Sequence, residues 1–429
     1  MNAHAILARD RDPADTIDRI VVIHDYPRAE GGAGMLATLA AREFAARGVP
    51  VTFFSGASDQ ADEAGEGIEH AGIAGRPLLE LPTRVALRQG FHNRSASLAL
   101  ADWIACHDTP RTIYHLHNWS QILSPAIFAA LRPVEGRLVV TCHDFFNLCP
   151  NGGVTDFRNA RPCELKPVSA RCIVTNCDRR SGLHKLWRTA RTVNLARIAR
   201  FAKSQATFTF IHQAMRDRFL AGGFAGRDLK VVPNPVEPWV EERVRAEDNA
   251  GFLYVGRLSR DKGADIAADA AAQCGVPMTL AGTGELQEQL RNRTRGVRLA
   301  GWCDRDKLRA LARNARALVV PSRVTEPFGL VIIEAAASGL PVIVSNRAYF
   351  AADAERLGFG IAFDPTEPDA LAAILDRVSR DRIGVERMSR AGYELAGRLA
   401  MSPQAWAERL LEIFLRKLGS TAKLHEETL

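Results

Sequence analysis

Val324–Asn346 reads VTEPFGLVIIEAAASGLPVIVSN, and the fold turns on this stretch. Pro fixes φ and Gly permits unusual φ, so Glu326-Pro327-Phe328-Gly329 reads as a turn. Leu330 to Ser338 contains no breaker and predicts a helix, which Gly339 and Pro341 then stop. PVIVS predicts a short buried strand, and ARALVVPS upstream predicts another. Strand, turn, helix and strand in that order make one unit of a parallel α/β sheet. Glu326 precedes the helix and Glu334 lies in its first two turns. A helix start offers unpaired N–H groups and partial positive charge, which suits a phosphate. A phosphate repels carboxylates, so the two acids are suited to hydroxyls flanking it. A nucleotide sugar has that layout: ribose diol, diphosphate, sugar. The plain alternative is helix-start charge at Glu326 and a surface position at Glu334.

The same pattern extends both ways. RIVVIHDY, PRAEGGAGM, LATLAAREFAARG and VPVTFFSG read as strand, glycine-rich loop, helix and strand, with Gly31 and Gly32 in the loop. The spacing fails the dinucleotide fingerprint, but it lets backbone approach a ligand closely. TIYHLHN and RLVVTCHDFF read as strands whose carboxyl ends carry His115, His117, His143 and Asp144. In an open parallel sheet those ends face the ligand crevice, and His143 is the stronger candidate among them. The prolines of VVPNPVEP form a stiff linker, placing a domain boundary near 232. Beyond it three strand–loop–helix units lead into the opening stretch. The first carries GRLSRDKG, where Arg257 and Lys262 share one loop and can neutralise a diphosphate. Asp304 and Asp306 resemble a metal-binding acid pair, but N-capping of the following helix explains them better.

A chain of 429 residues is long for one core, and no apolar run is long enough to span a bilayer. The expected divisions are a loose tail (1–17), a first domain (18–232), a second domain (233–400) and a final helical segment (401–429). The N-terminus lacks the apolar core of a secretory signal, so the expected location is the cytoplasm. The net charge of +7 is modest. Its distribution is not even: residues 179–216 hold no acid and many Arg and Lys. Segment 179–203 reads as a basic helix, either a solvated face or a peripheral contact with an anionic inner-membrane surface or a lipid diphosphate. Nucleic acid is not an expected partner, since aromatics are not interleaved with the charges. Cys149, Cys163, Cys172 and Cys177 cluster within an irregular insertion around 149–178. Their spacing admits a structural zinc, although there is no CxxC. No cofactor beyond this possible zinc is expected.

Together, GRLSRDKG, EPFGLVIIEA with its Glu-x7-Glu spacing, VVPNPV, HDFFNLCPNGG and the glycine-rich first loop resemble the retaining glycosyltransferases of family 4. The likeness runs along nearly the whole chain and is most specific from Lys230 to Asn346. It implies a GT-B architecture: two Rossmann-like, doubly wound domains facing across a cleft, with the last helix crossing back to the first. By resemblance, Arg257 and Lys262 hold the donor diphosphate and Glu334 takes the ribose hydroxyls. Glu326, with the backbone of Phe328, Gly329 and Leu330, holds the donor sugar. His143 contacts the sugar near the reacting carbon, and Gly31–Gly32 close over phosphate or acceptor. The implied activity is hexosyl transfer from a nucleotide sugar to a glycan or lipid-linked acceptor, as in polysaccharide assembly. Two competing expectations are a sugar-nucleotide epimerase on the same fold and a non-catalytic nucleotide-sugar-binding protein. SNRAYFAADAERLG, after the opening stretch, departs from the family's Gly-Gly-acid pattern.

Overall fold

Strands buried on both faces need helices on both faces, and that is how the chain is built. The computed structural model describes residues 17–27, 31–57, 65, 67–224, 228–293, 296–367 and 369–426. The expected tail lies almost wholly outside these residues. In the first half, β1 (Arg19–His24), β2 (Val51–Ser55), β3 (Glu69–Gly72), β4 (Thr112–Leu116) and β5 (Leu138–Cys142) belong to one sheet. A short antiparallel hairpin, β6 (Thr155–Asp156) and β7 (Arg161–Pro162), lies in the cysteine-bearing insertion. β8 (Thr207–Phe210) and β9 (Leu229–Val231) complete the main sheet, in the order β3-β2-β1-β4-β5-β8-β9. Every pairing in it is parallel.

The second half repeats the plan. β10 (Gly251–Val255), β11 (Met278–Ala281), β12 (Val297–Gly301), β13 (Ala315–Val320), β14 (Val342–Ser345) and β15 (Gly360–Phe363) form a sheet in the order β12-β11-β10-β13-β14-β15. It too is wholly parallel. The opening stretch folds as read: β13, a turn, the helix Leu330–Ala337, then β14. Asp304 caps the helix Arg305–Arg313, its carboxylate accepting from the Lys307 N–H at 2.9 Å. The strand order reverses between β1 and β4 in one sheet and between β10 and β13 in the other. Parallel sheets take their ligands beyond the strand carboxyl ends at such reversals.

The chain crosses between the lobes twice, side by side. Pro235 and Met401 form an isolated parallel bridge, and the Val236 N–H donates to the Met401 carbonyl at 2.9 Å. After that crossing, the helix Pro403–Glu426 returns to the first lobe. Trp406, Leu410, Ile413, Phe414 and Leu418 bury against Ile20, Val22, Leu36 and Phe44. Phe44 and Phe414 meet edge to face, with ring centroids 5.5 Å apart. Further contacts join the lobes across the cleft. The Thr325 N–H donates to Thr155 Oγ1 at 3.2 Å, and Arg179 pairs with Asp261 at 3.1 Å. Replacing Phe414 by Ala removes a fully buried ring from the first lobe. Denaturant unfolding is expected to show a loss of about 3–5 kcal/mol. A loss below about 1 kcal/mol would mean that the helix is not part of the first lobe's core.

Candidate functional site

The loops after β10 and β13 carry most of the predicted donor residues. Lys262 ends the short turn Arg260–Lys262 after β10, and Glu326 lies six residues past the end of β13. The sheet reversal brings them together: Lys262 Nζ forms a short ion pair with Glu326 Oε2, which also accepts from Ser322 Oγ at 3.3 Å. Arg257 is exposed and pairs with Asp261 at 3.0 Å, the same carboxylate that Arg179 reaches from the first lobe. Burial pushes Asp261 up, but a Ser259 hydrogen bond and the fields of Arg179, Arg257 and Lys262 outweigh it and hold the carboxyl below its usual range. Both predicted phosphate-binding cations therefore hold a carboxylate of their own chain, an arrangement the sequence reading lacked.

Gly329 caps the helix Leu330–Ala337 at φ +63°, where a Cβ would come within 2.8 Å of Ile332. No side chain caps this end, so its first N–H groups are left for a ligand. The Phe328 ring is buried and packs edge to face on Phe350, centroids 4.8 Å apart. That packing commits the ring to the core. The departing segment after β14 is tied to the site. The Glu326 N–H donates to the Arg347 carbonyl at 3.1 Å, and the Tyr349 N–H returns a bond to the Glu326 carbonyl at 3.1 Å.

Glu334 sits in a different setting from Glu326. The groups acting on it are Arg305, Trp239 and Glu237, not Arg257 or Lys262. Burial pushes its carboxyl up to about 7, against Arg305 and a hydrogen bond from the Trp239 side chain. A surface reading of Glu334 is thereby corrected, because the linker covers it. A carboxyl whose pKa rises on folding stabilises the fold less once it must ionise there. The sign follows: stability is lost as pH rises from about 4.5 toward 7, where the native state holds a proton that the unfolded chain has released. The stability difference between Glu334→Gln and wild type is expected to move in the variant's favour between pH 5 and pH 8, read by denaturant unfolding. A difference flat with pH would contradict this environment.

In the first lobe, His143 follows β5 and stands on a chain of histidines. His143 Nε2 lies 2.9 Å from His117 Nδ1, His117 Nε2 lies 3.2 Å from His115 Nδ1, and His115 Nε2 lies 2.8 Å from Thr141 Oγ1. Burial, with the field of His24, lowers His143 to about 3; burial and His143 lower His115 to about 3. Burial and the other rings hold His117 well below its usual value. The chain is held neutral, with His143 an uncharged imidazole. The signal for its support was available: His115 and His117, two apart, share one face of a strand. Gly31 and Gly32 do not form a loop but open the helix Gly31–Ala46. Gly31 has φ +66°, and a Cβ on either residue would meet nothing within 4 Å, so packing is not what limits side-chain size there.

Three of the four clustered cysteines, Cys149, Cys172 and Cys177, meet an ammonium. Lys185 is buried, and its Nζ donates to Cys172 Sγ at 3.4 Å and hydrogen-bonds Cys177, with Cys149 also acting on it. Asn151 Nδ2 donates to Cys177 Sγ at 3.3 Å and Cys149 Sγ donates to Asn151 Oδ1 at 3.2 Å. A cation seated among the sulfurs opposes zinc. Among the described residues no three His, Cys, Asp or Glu side chains gather closely enough to hold a metal ion. The zinc expectation does not fit these residues as placed. Elemental analysis of purified chain is expected to find far less than one zinc per molecule. One tightly held ion per chain would overturn the Lys185 arrangement.

Comparison with known proteins bears on both lobes. Residues 30–239 match the model described as Glycosyltransferase Family 4, and residues 236–395 match Glycosyl transferases group 1. The chain belongs to the glycosyltransferases. Glycogen synthase of Mycobacterium tuberculosis is 33% identical over 182 residues, 39% of this chain and 44% of that protein. Phosphatidyl-myo-inositol mannosyltransferase of Mycobacterium leprae is 30% identical over 190 residues, 40% of this chain and 50% of that protein. The chain thus spans half or less of these curated relatives. Among solved structures, sucrose-phosphate synthase from Thermosynechococcus elongatus superposes with a TM-score of 0.69 at 20% identity, covering 94% of this glycosyltransferase and all of that chain. HepE from Anabaena, in complex with UDP, gives 0.64 at 19% identity, covering 92% and 99%. These likenesses show the GT-B fold. Among the described residues no helix is long and apolar enough to cross a membrane.

Proposed function

We propose that this glycosyltransferase moves a hexosyl group from a nucleotide sugar to a glycan or lipid-linked acceptor, with retention of anomeric configuration. The observation that carries the reading is the Lys262–Glu326 pair, set at the reversal of the second sheet beside an uncapped helix start. In the resting site each charge satisfies the other. A donor diphosphate takes Lys262 and Arg257 and releases Glu326 to accept from a sugar hydroxyl. The helix start adds N–H groups and partial positive charge to the same phosphates. HepE, which shares the fold, has been solved with UDP and with UDP-glucose, so a uridine diphosphate sugar is the first donor class to test.

Chemistry then needs charge stabilisation more than proton transfer. The bond between the anomeric carbon and the phosphate oxygen breaks, and the electron pair stays on the diphosphate held by Lys262 and Arg257. The acceptor oxygen bonds the same carbon on the same face and passes its proton to the departing phosphate. Fixed cations aimed at developing negative charge lower such a barrier. Neutral His143 offers the sugar a hydrogen bond without adding positive charge beside the carbon where positive charge develops. Glu334 is assigned to the ribose hydroxyls. Gly31 and Gly32 are assigned to a close backbone approach to phosphate or acceptor.

A hydrogen bond to a charged group contributes about 1.5–3 kcal/mol. Lys262→Met is therefore expected to weaken UDP binding roughly 10- to 150-fold by calorimetry, with the folded state retained. NMR of the product of any accepted donor is expected to show the donor's anomeric configuration. UDP affinity within twofold of wild type, or an inverted product, would remove this reading.

A further inference from the structure

A second built site lies in the first lobe. The helices Thr83–Phe91 and Gly182–Ala199 enclose a cavity of about 190 Å³, lined by Leu79, Leu87, Phe146, Trp187, Arg188 and Arg191. On the Gly182–Ala199 helix, His184, Trp187, Arg188 and Arg191 fall three or four residues apart and so share the face that lines it. Its floor is Ser120, just past β4, and Phe146 follows His143 by three residues. The cavity thus opens at the carboxyl edge of the first sheet.

Arg191 is the anomaly. It is 6% exposed, and its guanidinium lies over the rings of Trp119 and Trp187, 5.1 and 5.6 Å from their centroids. One nitrogen donates to the Ser120 carbonyl at 2.7 Å, but buried Nε has no hydrogen-bond partner. Among the described residues no carboxylate lies within ion-pair distance of it. Arg188, by contrast, is paired with buried Asp178 at 3.2 Å. Asp25 and Asp144 act on Arg191 from further off. Asp25 is already committed to the N–H groups of Gln121, Ile122 and Leu123, at 2.7–2.9 Å. A buried cation with an open donor favours an anion. The rim has the opposite character: Leu79 and Leu87, which line the cavity, are both exposed. Cationic floor and apolar rim together match an anion joined to a hydrocarbon chain.

We propose that this cavity binds the acceptor through a phosphate or diphosphate joined to an apolar chain, the anion on Arg191 and the chain across Leu79 and Leu87. The assignment rests on the transferase reading and narrows its acceptor to a lipid-linked phosphate. A free phosphate would use only the floor, and an anionic membrane surface only the rim and the outer cations.

The test uses the full chain with saturating UDP, so that the donor site is filled, and follows binding by calorimetry. Farnesyl diphosphate is expected to bind at least tenfold tighter than inorganic diphosphate or farnesol. Arg191→Met is expected to weaken farnesyl diphosphate at least tenfold. Leu79→Asp, at a residue 68% exposed and therefore tolerant of the change, is expected to weaken farnesyl diphosphate while leaving inorganic diphosphate unchanged. UDP affinity is expected to be equal in all three proteins, which separates this proposal from the donor reading. Three results would overturn it: farnesyl diphosphate displaced by UDP, farnesyl diphosphate bound equally by wild type and both variants, or no binding to it while phosphatidylglycerol vesicles hold all three proteins alike.

Discussion

The Lys262–Glu326 ion pair closes the gap between the two central strands of the second sheet. Each residue leaves a neighbouring strand, β10 or β13, at the sheet reversal, and Arg323 spans the same gap, pairing with Asp265 at 2.6 Å and donating to the Arg260 carbonyl at 2.6 Å. Half-buried charges separated from their partner would be costly, so each fixes the other's loop. Glu326 extends the constraint by exchanging backbone hydrogen bonds with Arg347 and Tyr349. Tyr349 in turn stands edge to face with Phe145 of the first lobe, ring centroids 6.4 Å apart. A diphosphate that replaces Glu326 on Lys262 therefore acts on a junction linked to the other lobe.

That linkage gives the cleft its two-sided character. Asp261 is shared by Arg257 of its own loop and Arg179 of the first lobe. Under the proposed donor binding, drawing Arg257 toward a phosphate would leave Asp261 to Arg179. The two crossings run side by side, bridged at Pro235 and Met401. The histidine chain of the first lobe is uncharged. Its neutrality follows from burial and from the mutual repulsion that a second imidazolium would bring.

Much of this was legible in the sequence, because parallel strands buried on both faces read as short apolar runs between punctuating loops. The opening stretch and the strand before it read as strand, turn, helix and strand with bounds correct to within two residues. The loop of Arg257 and Lys262 was legible as a cationic loop after a strand. What was not legible depends on contacts between distant segments. Nothing near Glu334 announces that Trp239 and Glu237, almost a hundred residues earlier, cover it. Nothing in the cysteine spacing reveals that Lys185 reaches in among the sulfurs, since a helical lysine reads as solvated by default. Gly31 and Gly32 read as loop because glycine disfavours helix, yet the first turn of a helix tolerates them. Arg191 was counted within a basic face, and only the packing of Trp119 and Trp187 shows it to be buried.

The central claim is that the resting ion pair opens to receive a donor diphosphate. A crystal structure with a bound nucleotide sugar tests it most directly. The account predicts Lys262 Nζ within about 3 Å of a phosphate oxygen and parted from Glu326, whose carboxylate faces a sugar hydroxyl. A donor bound with the pair intact and its phosphates lodged away from Lys262 and Arg257 would contradict it.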